Sequence, residues 1–295
     1  MKLARYFLAL MITTSLLVLV SCGSKENKTD GSNEFTQAQE SLEGEIKTVV
    51  YQVPPPTEIP YMLQAAGADY NGSLINDKNK ADQYTSQPDK AALNLGVYAA
   101  DIGYLSSYDK TQDAIDYLNA ARKLADNLGL VGSFGAEVLR QFESNIANKD
   151  SLASIVNKTL DKSDKYLQDG SRAKQSALVL TGSFTEGLYI ATGIIKTYPK
   201  DILPEDSRNL ILTPLMRNIL DQRKSVDEVV KMLGGVDQNE PIPSLLSDFK
   251  ALQASYAALN IDEQIRNNKA NMVLSDKNLV EITAIVERIR KTIVQ

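Results

Sequence analysis

Ala91–Tyr108 reads AALNLGVYAADIGYLSSY, and Ser176–Ile195 reads SALVLTGSFTEGLYIATGII. Each stretch carries one charged side chain, Asp101 in the first and Glu186 in the second. Both are rich in small residues: Gly96, Ala99, Ala100 and Gly103, then Gly182, Gly187 and Gly193. Neither shows the strict apolar/polar alternation of a strand, and both are too long for one. Segments this apolar on every side belong at the centre of a helical fold, where small residues let two backbones approach closely. Ala92, Leu93, Leu95, Asp101 and Tyr104 also match Ala177, Leu178, Leu180, Glu186 and Tyr189 in order, which allows two weakly related halves.

Outward from these two segments the helical period continues. Thr57 with Pro60 reads as a helix start, and Asn71-Gly72 as a turn. Pro88-Asp89 opens a long stretch to Leu128, broken near Tyr108–Lys110 and ended by Gly129 and Gly132. Phe134–Asn148 and Ser151–Leu167 follow, with Gly170 as a stop. Arg172–Tyr198 is the next helix, and Pro199 and Pro204 bound a loop. Asp206–Arg223 is helical, with Pro214 at a kink or a new start. Ser225-Val226-Asp227-Glu228 fits a capping box with Ser225 at the cap. Gly234-Gly235 ends that helix, and Pro241 and Pro243 mark a loop.

Two late segments are the most regular. Leu245, Phe249, Leu252, Tyr256 and Leu259 recur at alternating spacings of four and three, as do Leu279, Ile282, Val286, Ile289 and Ile293. Each set is an apolar stripe on one helix face. The expected fold is therefore all-α: about eight helices in a bundle or short α-solenoid, in one domain over residues 57–295.

Composition excludes several chemistries. The 295 residues include one cysteine, no histidine and no tryptophan, and the net charge is −5. Without histidine there is no Ser-His-Asp triad, no Cys-His pair and no imidazole metal ligand. One cysteine forms no internal disulfide. An acidic chain has no bulk electrostatic attraction for nucleic acid. No P-loop, EF-hand loop or GxGxxG occurs, so neither an enzyme nor a cofactor or metal is expected. Tyrosine outnumbers phenylalanine 13 to 6. Those hydroxyls need partners, which places many of the tyrosines at helix seams or a pocket edge.

The charges inside the apolar helices are the candidate site. Helical spacing puts Asp101 on a face with Val97, Tyr98, Tyr104 and Leu105, and Glu186 on a face with Gly182, Ser183, Tyr189 and Ile190. A buried carboxylate must be paired or hydrogen-bonded, or hold its proton. Two readings follow. In one, Asp101 and Glu186 line a polar pocket for a small solute or cation, with Tyr98, Tyr104 and Tyr189 as hydrogen-bond donors. In the other, the acids form a structural network with tyrosine hydroxyls or with a cation such as Arg122, Arg140 or Arg172.

The N-terminus is an address. Lys2 and Arg5 precede an apolar run from Tyr6 to Val20, shorter than the ~20 residues of a spanning helix. Leu19-Val20-Ser21-Cys22 resembles the lipobox of bacterial lipoproteins, in which the chain is cut before a cysteine that carries acyl chains such as palmitate. The resemblance implies a signal peptide over residues 1–21 and lipidation of Cys22. Gly23 follows in place of the aspartate that retains lipoproteins in the inner membrane, so outer-membrane anchoring is implied. Cleavage removes Lys2 and Arg5 and no acid. Residues 22–56 read as a flexible tether, with a short helix possible over Glu34–Tyr51 before Pro54-Pro55-Pro56, and would span about 30 Å.

Asn94–Asp101 and Tyr117–Asp126, together with the lipobox and polar tether, resemble the all-helical lipoproteins of Bacteroidota. Gly182-Ser183-Phe184-Thr185-Glu186 lacks the histidine of the imelysin-type Gly-x-His-x-x-Glu motif, so that function is not carried over. The implied partners are the bilayer, through acylated Cys22, and an unidentified envelope protein or small polar ligand. The expected function is non-enzymatic binding or scaffolding in the cell envelope, with a solute- or cation-binding lipoprotein as the alternative.

Overall fold

The computed structural model describes residues 53–130, 136–145, 148–168, 172–197, 214–259 and 277–295. The expected signal peptide, Cys22 and the Glu34–Tyr51 helix lie outside these residues, as do Gly132, Gly170, Pro199, Pro204 and residues 206–213. The fold is all-α, and the described residues contain no strand. Its helices are α1 (Glu58–Ala65), α2 (Ala81–Tyr84), α3 (Pro88–Ser107), α4 (Thr111–Asn127), α5 (Ala136–Ser144), α6 (Lys149–Gln168) and α7 (Ala173–Thr197). After these come α8 (214–221), α9 (Arg223–Gly234), α10 (Ile242–Ala258) and α11 (Lys277–Val294).

Helices α3 and α7 form the centre, as their all-round apolarity requires. Residues 91–107 of α3 are all buried, and so is α7 from Ser176 to Ile194 apart from half-buried Tyr189. Around them, α4 and α6 pack on α3, α11 packs on α7, and α1 lies against both. Helix α10 bridges α9 and α11. All ten residues of the two late stripes are buried, so α10 and α11 meet through the faces the spacing assigns.

The two central backbones touch. A Cβ on Gly96 would lie 2.0 Å from the carbonyl oxygen of Val179 and 2.6 Å from the Ser183 nitrogen. One on Gly182 would lie 2.0 Å from the Leu93 carbonyl oxygen. The helices run side by side in the same direction. At their starts Lys174 Nζ donates to Asp89 Oδ2 at 2.6 Å, and further along Asp101 faces Glu186. Of the residues matched in sequence, Asp101 and Glu186 are thus neighbours in space.

Helix α7 has 25 residues and a window of mean hydropathy 1.4, long and apolar enough to cross a membrane by those measures. In this fold 89% of that window is buried in protein. Its buried threonine hydroxyls are satisfied within the helix. Thr181, Thr185 and Thr192 donate to the carbonyls of Ala177, Thr181 and Leu188 at 2.7, 2.7 and 2.9 Å.

Helix ends follow local chemistry. Helix α4 stops with Gly129 at φ 75°, while Gly129 N–H donates to Asp126 O and Leu130 N–H to Ala125 O. This paired closure satisfies two orphan carbonyls. The break after α3 has the same closure, from Asp109 N–H to Ser106 O and Lys110 N–H to Leu105 O. There the left-handed position is held by Asp109, at φ 58°.

Three boundaries sharpen or correct the expectation. Ser225 is not a cap: α9 begins at Arg223 with Gln222 at its N-cap, and Ser225 is buried within the first turn. The reason is that α8 ends at residue 221, so α9 starts almost directly, with Val226 N–H already donating to Gln222 O. Pro241 and Pro243 stand at the far end of the loop over residues 235–241. They sit at the N-cap and first turn of α10, where a missing N–H costs nothing. Finally, Val53 and Pro56 are buried, and Gly103 lies against Pro56 O and Thr57, so the last residues of the expected tether belong to the body.

Candidate functional site

Asp101 and Glu186 meet at the α3–α7 seam, and both are fully buried. Arg290 reaches them from α11. Its Nε donates to Glu186 Oε2 and its second nitrogen to Glu186 Oε1, each at 3.0 Å. This two-pronged geometry is the strongest carboxylate contact a side chain can make. The same guanidinium donates to Leu74 O at 3.4 Å and stacks 4.4 Å from the centre of the Tyr189 ring. Asp101 Oδ2 accepts from the Asn76 backbone N–H at 3.2 Å.

The charges are unequal. Burial pushes the Asp101 carboxyl well above the usual aspartate range, and the neighbouring Glu186 carboxylate pushes it further; Arg290 and the Asn76 N–H oppose this. Burial also raises Glu186, with Arg290 as the main opposing influence. Burial works against the charge on Arg290, but Glu186 outweighs it and raises the guanidinium above its ordinary value. Glu186 thus has a guanidinium to hold its charge, whereas Asp101 has a single backbone N–H.

Segment 67–80 crosses over the two acids, and tyrosines hold it there. Tyr98 donates to Asp77 O at 2.9 Å and Tyr117 to Asn76 O at 2.5 Å. Tyr104 accepts from the Asn71 N–H at 2.8 Å, and Tyr108 donates to Ala68 O at 2.7 Å. The Asn76 side chain donates to Tyr84, which donates in turn to Val294 O at 3.0 Å. Three ring pairs reinforce the belt: Tyr70–Tyr104, Tyr104–Tyr108 and Tyr98–Tyr117, with centroids 5.3, 5.0 and 5.8 Å apart. Burial pushes the Tyr104 hydroxyl up to about 12, so it stays protonated.

No protein-family model, curated protein or solved structure matches this chain.

The five residues singled out in the sequence divide by role. Asp101 and Glu186 come together as their faces require. Tyr98 and Tyr104 bond the backbone of segment 67–80 rather than a cavity, and Tyr189 contributes its ring to Arg290. The cation of the network is Arg290, not Arg122, Arg140 or Arg172. Arg122 lies 3.9 Å from Asp126, Arg140 pairs with Glu137, and Arg172 donates to Leu128 O at 3.2 Å. Arg290 carried a usable signal, since it follows Val286 by four and precedes Ile293 by three, at the edge of the last stripe.

Helix α4 carries exposed ion pairs to its neighbours. Asp116 pairs with Lys78, and Lys123 with Asp82 at 3.0 Å, which ties α4 to segment 67–80 and to α2. Such exposed pairs contribute about 0.2–1 kcal/mol each. A separate polar groove of about 430 Å³ lies between α5 and α6, lined by Asn145, Asn148, Asp150, Ser154 and Lys158 among others.

Proposed function

We propose that this chain is a lipid-anchored helical lipoprotein of the outer membrane that acts as a non-enzymatic binding or scaffolding protein of the cell envelope. The lipobox-like Leu19-Val20-Ser21-Cys22 supports the anchor. The observation that carries the non-enzymatic reading is the inward termination of the one carboxylate pair the sequence offered. Glu186 is spent on Arg290, and Asp101 on Asn76 and Glu186. A carboxylate pair for hydrolysis needs a substrate-facing acid and an open base. These two acids lie under a strap of backbone.

Two measurements test the reading. Mass spectrometry of the N-terminal peptide from envelopes should show a diacylglyceryl modification on Cys22, absent in Cys22→Ala. Cross-linking in intact envelopes should trap a specific protein partner. An unmodified Cys22 removes the anchor, and a clean blank in cross-linking removes the scaffold.

The alternative, a solute or cation pocket at Asp101 and Glu186, has one observation in its favour. Asp101 Oδ1 is buried with no hydrogen-bond donor facing it among the described residues. It requires a ligand retained through native purification and lost in Asp101→Asn.

A further inference from the structure

Two buried carboxyls lie beside a single guanidinium. Glu186 takes both forks of Arg290, and the Asn76 N–H takes Asp101 Oδ2. If Asp101 were ionised, its Oδ1 would face no donor among the described residues. If it is protonated, it can donate to the carboxylate beside it, and the side chains of Asp101 and Glu186 are in hydrogen-bonding contact. One proton then completes the site: a neutral acid, an anion and a cation, with no net charge under the strap. Without it, two anions and one cation are sealed in a low dielectric, and the excess charge must be solvated or relieved.

Among the described residues, the groups facing this pair are few. Glu186 and Tyr189 come from α7, Arg290 from α11, Tyr98 from α3 and Tyr117 from α4. Tyr84 comes from α2, and Tyr70 and Asp77 from segment 67–80. None is a second cation. The element through which water can most readily enter is segment 67–80. It has only a single short helical turn, its tip at Gly72 and Ser73 is exposed, and it is held by individual hydrogen bonds. Two of those bonds go to Asn76, whose N–H is on Asp101 and whose carbonyl is on Tyr117.

We propose that Asp101 and Glu186 hold a single shared proton, and that this proton latches segment 67–80 over the central helices, so that acid tightens the strap and rising pH loosens it. The sign follows from linkage. The closed state holds the proton more tightly than the open one. Opening is therefore independent of pH below the ordinary aspartate value, near 4, and becomes easier as pH rises towards the raised closed-state value. Above that value the effect levels off. The protein has no histidine, so no other unperturbed side chain titrates between pH 5 and 8. A pH response in that window therefore reports a perturbed group such as this pair.

Hydrogen exchange of the Asn76 amide, read by NMR on the purified protein, measures opening directly. The protection factor, which already removes the intrinsic pH dependence of exchange, should fall by up to tenfold per pH unit through pH 5–8. In Asp101→Asn, whose amide keeps the shape and a donor for Glu186, it should stay flat. Infrared spectra of the wild type at neutral pH should show the carbonyl stretch of a protonated carboxylic acid, absent in the variant. A pH-independent protection factor in the wild type overturns the proposal, as does an equal pH slope in both proteins. Should Asp101→Asn fail to fold, the wild-type infrared titration decides by itself: no protonated-acid band at neutral pH means no shared proton.

Discussion

Replacing Gly96 by alanine sets two effects of opposite sign against each other. Within an isolated helix the change favours folding by about 1 kcal/mol. In this protein the added Cβ would sit 2.0 Å from Val179 O and 2.6 Å from Ser183 N, both backbone atoms that cannot rotate away. Real Cβ contacts essentially never fall under 3.0 Å, so the two central helices must part by at least ~1 Å. A gap of that size forfeits a quarter to a half of each dispersion contact along the seam. Overpacking in a tight core commonly costs 1–3 kcal/mol, and a seam through the centre of the fold belongs at or above the top of that range. The expected net loss is about 3–5 kcal/mol, or roughly 6–20 °C in Tm for a body of this size.

Thermal and urea unfolding of Gly96→Ala should be compared with Gly234→Ala. Gly234 ends α9 with nothing within 4 Å of its added Cβ. That control should be neutral or up to ~1 kcal/mol more stable. Gly182→Ala meets Leu93 O at the same 2.0 Å, so its cost should match that of Gly96→Ala. The double variant should cost clearly less than the two losses added, because one separation relieves both clashes. If Gly96→Ala were as stable as Gly234→Ala, the helices would not be in backbone contact and the central seam would be misassigned.

Three further outcomes are expected. Glu186→Gln leaves Arg290 buried without its anion and should cost about 3–5 kcal/mol by urea unfolding, whereas Arg290→Met with Glu186→Gln together should cost less than either change alone. Asp101→Asn should be at least as stable as the wild type at pH 7, with its advantage shrinking as pH falls towards 4, because the raised Asp101 costs stability as pH climbs from its ordinary value. Asp109→Gly removes a left-handed strain of about 1 kcal/mol from a non-glycine residue and should raise Tm by about 2–4 °C; a fall would show that contacts of the Asp109 side chain outweigh the strain.

How much of this was legible along the chain depended on the range of the interaction. Local signals read correctly. The apolar character of Ala91–Tyr108 and Ser176–Ile195 placed α3 and α7 at the centre, the three-and-four spacing gave the buried faces of α10 and α11, and Gly129 marked a stop. Where a local signal failed, a neighbour had intervened. Ser225 has the pattern of a cap, yet α8 runs almost directly into α9 and moves the start to Arg223.

The site shows the same division. Periodicity assigns Asp101 and Glu186 to inward faces, because a residue's face is set by neighbours three and four positions away. It cannot say which side chain arrives from elsewhere. Arg290 lies 104 residues from Glu186, and Tyr117 lies 41 from Asn76. These pairings exist only once α11 has docked on α7 and segment 67–80 has crossed over α3. Burial of the two acids was therefore written in helical spacing, while the groups that bear on their charge were brought by packing: one guanidinium on Glu186 and one backbone N–H on Asp101.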